Sequence, residues 1–331
     1  MFVLAIETSC DETSSSIIEN NQVLSNIVYS QNIHVKFGGV VPDLASKDHE
    51  KNILEVVDYS IKEAEIQLND LDAIAVTYGS GLLGSLIIGL NFAKGLSIGL
   101  DIPFIAISHL EGHLFSSFIN KTPRYPFLSL IVSGGHTQVW LVNDYDKHIV
   151  LSDTVDDAAG EAFDKGAKIL GLKYPGGPEI EKKSKGGDSD KFKFTIPEVK
   201  SNKYYFSFSG LKTALLYTKK ELDENNSIYK ISDLAASYQK AIIMTLFNKL
   251  ERILNDYDIS NIVIVGGVSA NKYFRNKSYL LESKYNVNID FPELEFCTDN
   301  AAMIATAALY KLKNNIVSNI NIEANPNIKY R

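Results

Sequence analysis

His109 and His113 stand four residues apart in His109-Leu110-Glu111-Gly112-His113, directly after the apolar run Phe104 to Ile107. If Ser108 caps a helix there, both imidazoles lie on one face, a turn apart, and can reach one metal ion. Two ordinary surface or core histidines would give the same spacing, so a third ligand has to decide. Asp299, in Thr298-Asp299-Asn300 at the start of a last helix, is a candidate ligand, or else a plain helix cap. A set of two histidines and one carboxylate with open positions suits iron(II), and zinc binds such sites too.

Asp11 and Glu12 offer a different chemistry, because neighbouring carboxylates raise one another's pKa and one of them becomes a usable base. The alternative is that Asp11 caps a turn. Ser133-Gly134-Gly135 and Gly79-Ser80-Gly81 offer backbone N–H groups to a phosphate, and a following helix N-terminus favours anions. Each glycine turn taken alone equally serves its own geometry. Asp156, Asp157, Glu161 and Asp164 cluster around Lys165, ahead of the tight turn Tyr174-Pro175-Gly176-Gly177-Pro178. A carboxylate here would take ribose hydroxyls, or the cluster is a solvated helix face.

The elements needed to hold these residues come in repeats. Val3 to Glu7 reads as a strand entering the polar turn Thr8 to Ser14, with apolar character returning at Ile17 and Ile18. Phe127 to Val132, the turn Ser133 to Thr137 and Val139 to Val142 repeat that hairpin. A second device, strand then glycine turn then helix, runs from Asp72 through Gly81 into Leu82, and again from Asn261 through Gly266-Gly267 into Asn271 to Glu282. The interval from hairpin to second device is 69 residues in the first half and 133 in the second, so an insertion of 64 residues is expected, at Gly160 to Asp223.

This duplication predicts an α/β chain of the actin, sugar-kinase and heat-shock-ATPase plan, two duplicated domains around a nucleotide cleft. The first would span 1–105 and be completed by the C-terminal helical stretch 297–331, with Asp299 to Lys313 helical. The second would span 106–296. A doubly wound single sheet is the alternative.

Composition agrees with a globular protein. The 331 residues are 45% apolar and 22% charged, which excludes disorder, collagen and coiled coil. A net charge of −7 argues against simple coating of nucleic acid. Two cysteines, Cys10 and Cys297, and a start without a basic flank predict a cytoplasmic chain without a disulfide framework. Gly81 to Leu100 is apolar but carries Asn91, Lys94 and five glycines, so a buried, closely packed helix is expected and no membrane partner. Residues 182 to 220 hold ten lysines against three acids, a local +7, interleaved with Phe192, Phe194, Tyr204, Tyr205, Phe206 and Phe208. That pattern fits single-stranded or loop RNA, or a lysine-rich surface over an ordinary core.

Many stretches together resemble one family: Ile6-Glu7-Thr8-Ser9-Cys10-Asp11-Glu12-Thr13, Gly38-Gly39-Val40-Val41-Pro42 with Ala45-Ser46, His109 to His113, Val132 to Gln138, Asp156 to Lys165, Tyr174 to Pro178, Phe206 to Thr213, Gly266 to Asn271, and Glu295 to Asn300. They are similar to tRNA N6-adenosine threonylcarbamoyltransferase, the TsaD family, once called a glycoprotein endopeptidase. The resemblance implies transfer of a threonylcarbamoyl group from threonylcarbamoyl-adenylate to N6 of the adenine 3′ of the anticodon, in tRNAs reading codons that begin with A, with release of AMP. It implies His109, His113 and Asp299 as ligands of one ion per chain, Fe(2+) or Zn(2+). It lays the adenylate along Ile131, Val132, Ser133, Gly134, Gly135, Asp164, Gly177 and Asn271, with Glu181 where the family carries a carboxylate near the ribose. Asp11 or Glu12 would take the amine proton. The partners it implies are tRNA, an inactive paralogue, TsaB, and a small ATPase, TsaE. Two departures stand out: Gly79-Ser80-Gly81-Leu82 where the family has Gly-Pro-Gly-Leu, and a shortened tail from Asn325.

Two rivals are weighed. A metallopeptidase of the zincin type needs Glu directly after its first His; here Glu111 follows by two, which turns it about 200° from His109 on a helix. A kinase-like or regulatory ATP-binding module of the same fold would carry Asp-x-Gly at the first hairpin, where this chain has Glu7-Thr8-Ser9.

Overall fold

The computed structural model describes residues 1–328 and Tyr330. The strands and helices are, in order, β1 (Phe2–Glu7), β2 (Glu12–Glu19), β3 (Gln22–Ser30), α1 (Pro42–Glu63), β4 (Ala73–Gly79), α2 (Leu83–Leu100), β5 (Phe104–Ser108) and α3 (His109–Ser116). There follow β6 (Phe127–Val132), β7 (Thr137–Asp144), β8 (Lys147–Ser152), α4 (Ala159–Ile169), α5 (Gly176–Ser184), α6 (Ser209–Glu224) and α7 (Ile231–Asp256). The chain closes with β9 (Asn261–Val265), α8 (Lys272–Tyr285), β10 (Asn288–Asp290) and α9 (Ala301–Lys313).

Two compact units result, Met1–Pro123 with Pro292–Arg331, and Arg124–Phe291. The division therefore falls after residue 123 and not after 105. β5 is a ladder strand of the first sheet beside β4, and α3 packs on α9, so neither can leave the first unit.

Each unit carries a five-stranded sheet, ordered β3-β2-β1-β4-β5 in the first and β8-β7-β6-β9-β10 in the second. The repeated hairpins are thus parts of three-stranded antiparallel meanders, each continued by two parallel strands. The central strands β1 and β6 are covered on both faces, which is why their residues are almost all apolar apart from Glu7 and Ser129. Between β8 and β9, residues 159–224 carry α4, α5 and α6 ahead of α7, where the first unit has α1 alone between β3 and β4.

Helix boundaries follow local chemistry. Pro42 opens α1, where its missing N–H costs no hydrogen bond. Ser108 and Glu111 close a reciprocal capping box on α3. The last helix begins at Ala301, later than expected, because Asn300 is its cap and accepts from the Met303 N–H at 3.1 Å. Ala301, Ala302, Ala305 and Ala308 are wholly buried, and these small side chains let α9 lie close on β1 and β2.

Helix α2 departs from expectation. It is the one helix among the described residues long and apolar enough to cross a bilayer, yet only 33% of it is buried. One face, with Leu86, Gly89, Leu90 and Ala93, packs on the first unit's core; Leu83, Ile87 and Ile98 are exposed. A Cβ on Gly95 or Gly99 would meet nothing within 4 Å, so these glycines do not mark close packing.

The basic stretch resolves in favour of an ordinary core for its central aromatics. Phe206 and Phe208 are fully buried and stack on one another at 6.1 Å, and Phe192, Phe194 and Tyr204 pack against the same cluster. The head of α6 within it is organised by Asp156, which accepts from the Phe208 and Ser209 N–H groups and the Ser207 and Ser209 hydroxyls. Burial alone would raise the Asp156 pKa, but these four donors outweigh it and hold the carboxyl below its usual value. Asp156→Ala is expected to cost about 1 kcal/mol in denaturant melts, as loss of a helix cap does. Because the folded-state pKa is depressed, that cost should be full above the unfolded carboxylate pKa and vanish as pH falls through the folded one.

Candidate metal and nucleotide sites

Helix α3 presents His109 and His113 on one face, and α9 brings up Asp299 just before its cap. The close approach depends on Gly112: a Cβ there would lie 2.6 Å from Ile304 Cδ1 of α9. Since Asn300 does the capping, the Asp299 carboxylate is left for the histidines. Its Oδ1 lies 3.2 Å from His113 Nε2 and 3.6 Å from His109 Nε2. Ligand atoms each about 2.1 Å from one ion at angles of 90–110° lie roughly 3.0–3.4 Å apart, so the His113 separation matches a metal site and the His109 one is slightly wider.

The electrostatics point the same way. His113 is fully buried, and neither ring nitrogen has an aligned hydrogen-bond partner among the described residues. Burial and then the adjacent His109 push its pKa down, which leaves a neutral imidazole with an unused lone pair. Burial also opposes charge on His109, but Asp299 and Glu7 outweigh it and raise its pKa to about 9. Without an ion, a proton on His109 does part of a cation's work among these carboxylates. The donor set therefore fits a divalent ion: His109, His113 and Asp299 form a group able to hold a metal.

The first tip, Thr8 to Asp11, brings further residues to this group. Ser9 Oγ lies 3.1 Å from His109 Nδ1, and Glu7 Oε2 lies 3.3 Å from the same nitrogen. Glu12 opens β2 half-buried; burial, then Asp299, then Asp11 push its carboxyl well above the usual range. Cys10 is raised by burial and by Asp11 and Asp299, which keeps it a thiol. Glu12 thus lies within electrostatic reach of Asp299, with Asp11 beside it. Glu7 and Ser9 were missed as members by reading types and spacing; a carboxylate ending an otherwise apolar, buried strand was the available signal. Glu111 is committed elsewhere, its Oε2 accepting from the Ser108 N–H at 3.0 Å and from Lys311 at 3.3 Å.

The second unit holds the glycine-rich residues. Ile131 and Val132 end β6 buried, and Ser133-Gly134-Gly135 forms the turn into β7, closed by the Ser133 N–H donating to His136 O at 2.9 Å. Backbone passes close behind it: Gly266, at φ +91°, would place a Cβ 2.5 Å from Val132 O. Gly134, Gly135 and Gly177 differ, because a Cβ on any of them would meet nothing within 4 Å and none has positive φ. Neither packing nor backbone conformation accounts for glycine there.

Of the acidic cluster, the structure gives each carboxylate a partner within the chain. Asp156 caps α6, Asp157 and Glu161 pair with Lys165 at 2.7 Å, and Asp164 Oδ1 accepts from the Gly176 N–H at 2.7 Å. Asn271 caps α8 by accepting from the Phe274 N–H, and its amide donates to Gln239 Oε1 at 2.9 Å. Gln239, Glu181, Ser184, Lys185, Lys272 and Tyr273 line a cavity of about 290 Å³ between α5, α7 and α8. Glu181 is the one expected site residue in its wall. Gln239, in mid-helix with no motif around it, carried no signal.

Comparison with known proteins shows the family of the chain. The family model described as tRNA N6-adenosine threonylcarbamoyltransferase, TsaD, matches residues 22–306. A Thermosipho africanus protein of that name is 50% identical over 331 residues, covering 99% of this chain and 100% of that one. One from Caldicellulosiruptor bescii is 46% identical over 333 residues, 99% and 98% of the two chains. Among solved structures, component A of the Acidaminococcus fermentans (R)-2-hydroxyglutaryl-CoA dehydratase superposes with a TM-score of 0.56 at 15% identity, over 95% of this chain and 98% of that one. HypF of T. kodakarensis gives 0.64 at 15% identity, over 95% and 48%. These last likenesses concern the fold, which is that of the actin-like ATPases. With an almost full-length match to curated relatives at about half identity, the chain belongs to the tRNA N6-adenosine threonylcarbamoyltransferase family of enzymes.

Proposed function

We propose that this chain transfers the threonylcarbamoyl group of threonylcarbamoyl-adenylate to N6 of the adenine 3′ of the anticodon, in tRNAs reading codons that begin with A, and releases AMP. The observation that carries the reading is the likeness to transferases of that name along nearly the whole chain. The same reading places the reaction in the cytoplasm and makes proteins like TsaB and TsaE its accessory partners.

In this reading the adenylate lies along Ile131 to Gly135, Gly177 and Glu181. Support comes from the open space at Gly134, Gly135 and Gly177, where backbone N–H groups can approach a phosphate, and from Glu181 in the wall of the cavity. Asp164 and Asn271 serve by fixing the first turns of α5 and α8. An iron(II) ion, which the two-His, one-carboxylate donor set favours over zinc, would supply Lewis acidity to polarise the mixed anhydride when held by His109, His113 and Asp299. An exocyclic adenine amine is a poor nucleophile, so its proton needs an acceptor. Glu12 takes that role, with Asp11 beside it sharing the hydrogen bond.

The test supplies the purified chain with bacterial accessory proteins, tRNA and pre-formed adenylate, digests the tRNA and measures threonylcarbamoyladenosine by mass spectrometry. Modified nucleoside and AMP should form in equal amounts. ATP turnover by the chain alone in a parallel assay with ATP, with no modified nucleoside from the full mixture, would return the kinase-like module to favour.

For the tRNA itself, Lys182 and Lys183 on the exposed side of α5 are better probes than Lys203 and Lys212, which pair with Asp256 and Asp157. Lys182→Glu with Lys183→Glu is expected to weaken all tRNAs alike and to lower the salt slope by about 0.9 per lost phosphate contact. Filter binding across a salt series reads both quantities; an unchanged slope would free these lysines of any part in binding.

A further inference from the structure

Glu7 is wholly buried at the end of β1, yet it is a carboxylate in a strand that is otherwise apolar. Such a group is costly to bury unless its charge is used. Its Oε1 accepts from the Ser9 N–H at 2.6 Å, and its Oε2 accepts from the Thr77 hydroxyl of β4 and lies 3.3 Å from His109 Nδ1. On the far side of that ring, Nε2 faces Asp299 Oδ1 at 3.6 Å.

Ser9 Oγ, 3.1 Å from the same nitrogen, is able to donate to a bare Nδ1, but that tautomer would set the Nδ1 lone pair beside the charge of Glu7 Oε2, so the carboxylate favours the ring with hydrogen on Nδ1. In the neutral ring that leaves the only lone pair on Nε2, on the side of His113 and Asp299. We propose that Glu7 is a positioning residue for the metal centre: its carboxylate fixes the tautomer and rotation of His109 so that Nε2 is presented as the ligand atom, and it raises the basicity of that nitrogen. The proposal rests on the reading of His109, His113 and Asp299 as a metal site. His113 has no equivalent partner for its Nδ1 among the described residues, so the two histidines are unequal ligands, one oriented by a charge and one by packing alone.

A merely structural Glu7 would tie β1 to β4 through Thr77 and nothing more. The test therefore compares Glu7→Gln, which keeps the shape but removes the charge, with Thr77→Val, which removes the tie between strands but leaves the carboxylate facing His109. Cobalt(II) and zinc titrations against a competing chelator give affinity, circular dichroism and thermal melting give folding, and nitrogen-15 spectra of the zinc-loaded wild type give the His109 tautomer. Glu7→Gln is expected to weaken both metals by about 10–100-fold, while Thr77→Val lowers thermal stability and keeps affinity within about threefold. In the zinc-loaded wild type the His109 Nδ1–H should be seen, with zinc on Nε2.

A folded Glu7→Gln with wild-type affinity overturns the proposal. So does zinc on His109 Nδ1, a measurement that needs no variant and holds even if Glu7→Gln fails to fold. Absence of stoichiometric metal from the folded wild type would instead overturn the metal-site reading beneath it, and the two failures are thereby told apart.

Discussion

His113→Ala is expected to abolish stoichiometric metal binding and to lower threonylcarbamoyl transfer by about 10²–10⁴, the worth of several kcal/mol of Lewis-acid stabilisation. The physical reason is that His113 brings the one neutral, fully buried lone pair of the three ligands. AMP affinity should be unchanged, since the residues proposed to hold the adenylate belong to the other compact unit. The wild type carries a companion signature. With the His109 pKa raised to about 9, the ring is protonated at pH 7, and zinc must expel that proton to bind. Calorimetry in two buffers of different ionisation enthalpy should therefore register proton release at pH 7, falling away as pH rises past 9. Full transfer activity in a metal-free His113→Ala protein would remove the metal from the reaction.

The second large effect concerns Glu12. Glu12→Gln keeps volume and hydrogen bonding but cannot accept a proton, and transfer is expected to fall by about 10²–10⁴ with metal content and AMP affinity unchanged. Asp11→Asn should cost less, because in this reading Asp11 supports Glu12 without itself taking the proton. Single-turnover rates with saturating adenylate separate this loss of chemistry from weaker binding. Glu12→Gln at the wild-type rate, with Asp11→Asn slow, would exchange the two roles.

The first site was legible where short-range rules govern it. His109 and His113 follow a strand and a Ser108 cap, and a capped helix necessarily puts residues four apart on one face. The same spacing turned Glu111 away, and it is found in the capping box. Duplication was legible as well, since burying the same strand order twice repeats the same apolar runs and glycine turns. What fell short were inferences from residue type without depth. Lysines interleaved with aromatics left an RNA surface and an ordinary core both open, and residue type did not show that Phe206 and Phe208 point into the core. Alternation in a segment without regular secondary structure says nothing about which side chains turn inward. Glycines in α2 suggested close packing, which holds at Gly84 and Gly89 but not at Gly95 and Gly99, because composition alone cannot assign a helix its faces.

By itself, then, the sequence determined the family, the repeated α/β order, and the kinds of donor available: two histidines a turn apart, carboxylates at a tip and at the head of a helix, glycines at the turns. These follow from local propensity, capping and pattern, and each acts within about a turn or two of chain. Tertiary structure alone decided which donors meet. Asp299 became a partner of the histidines because Asn300 took the cap and Gly112 lets α9 approach α3; Glu7 became one because parallel pairing of β1 with β4 seats it beside Thr77 and His109. Such meetings join residues far apart in the chain, and they are settled by packing of small side chains and strand register, which no local rule of sequence contains.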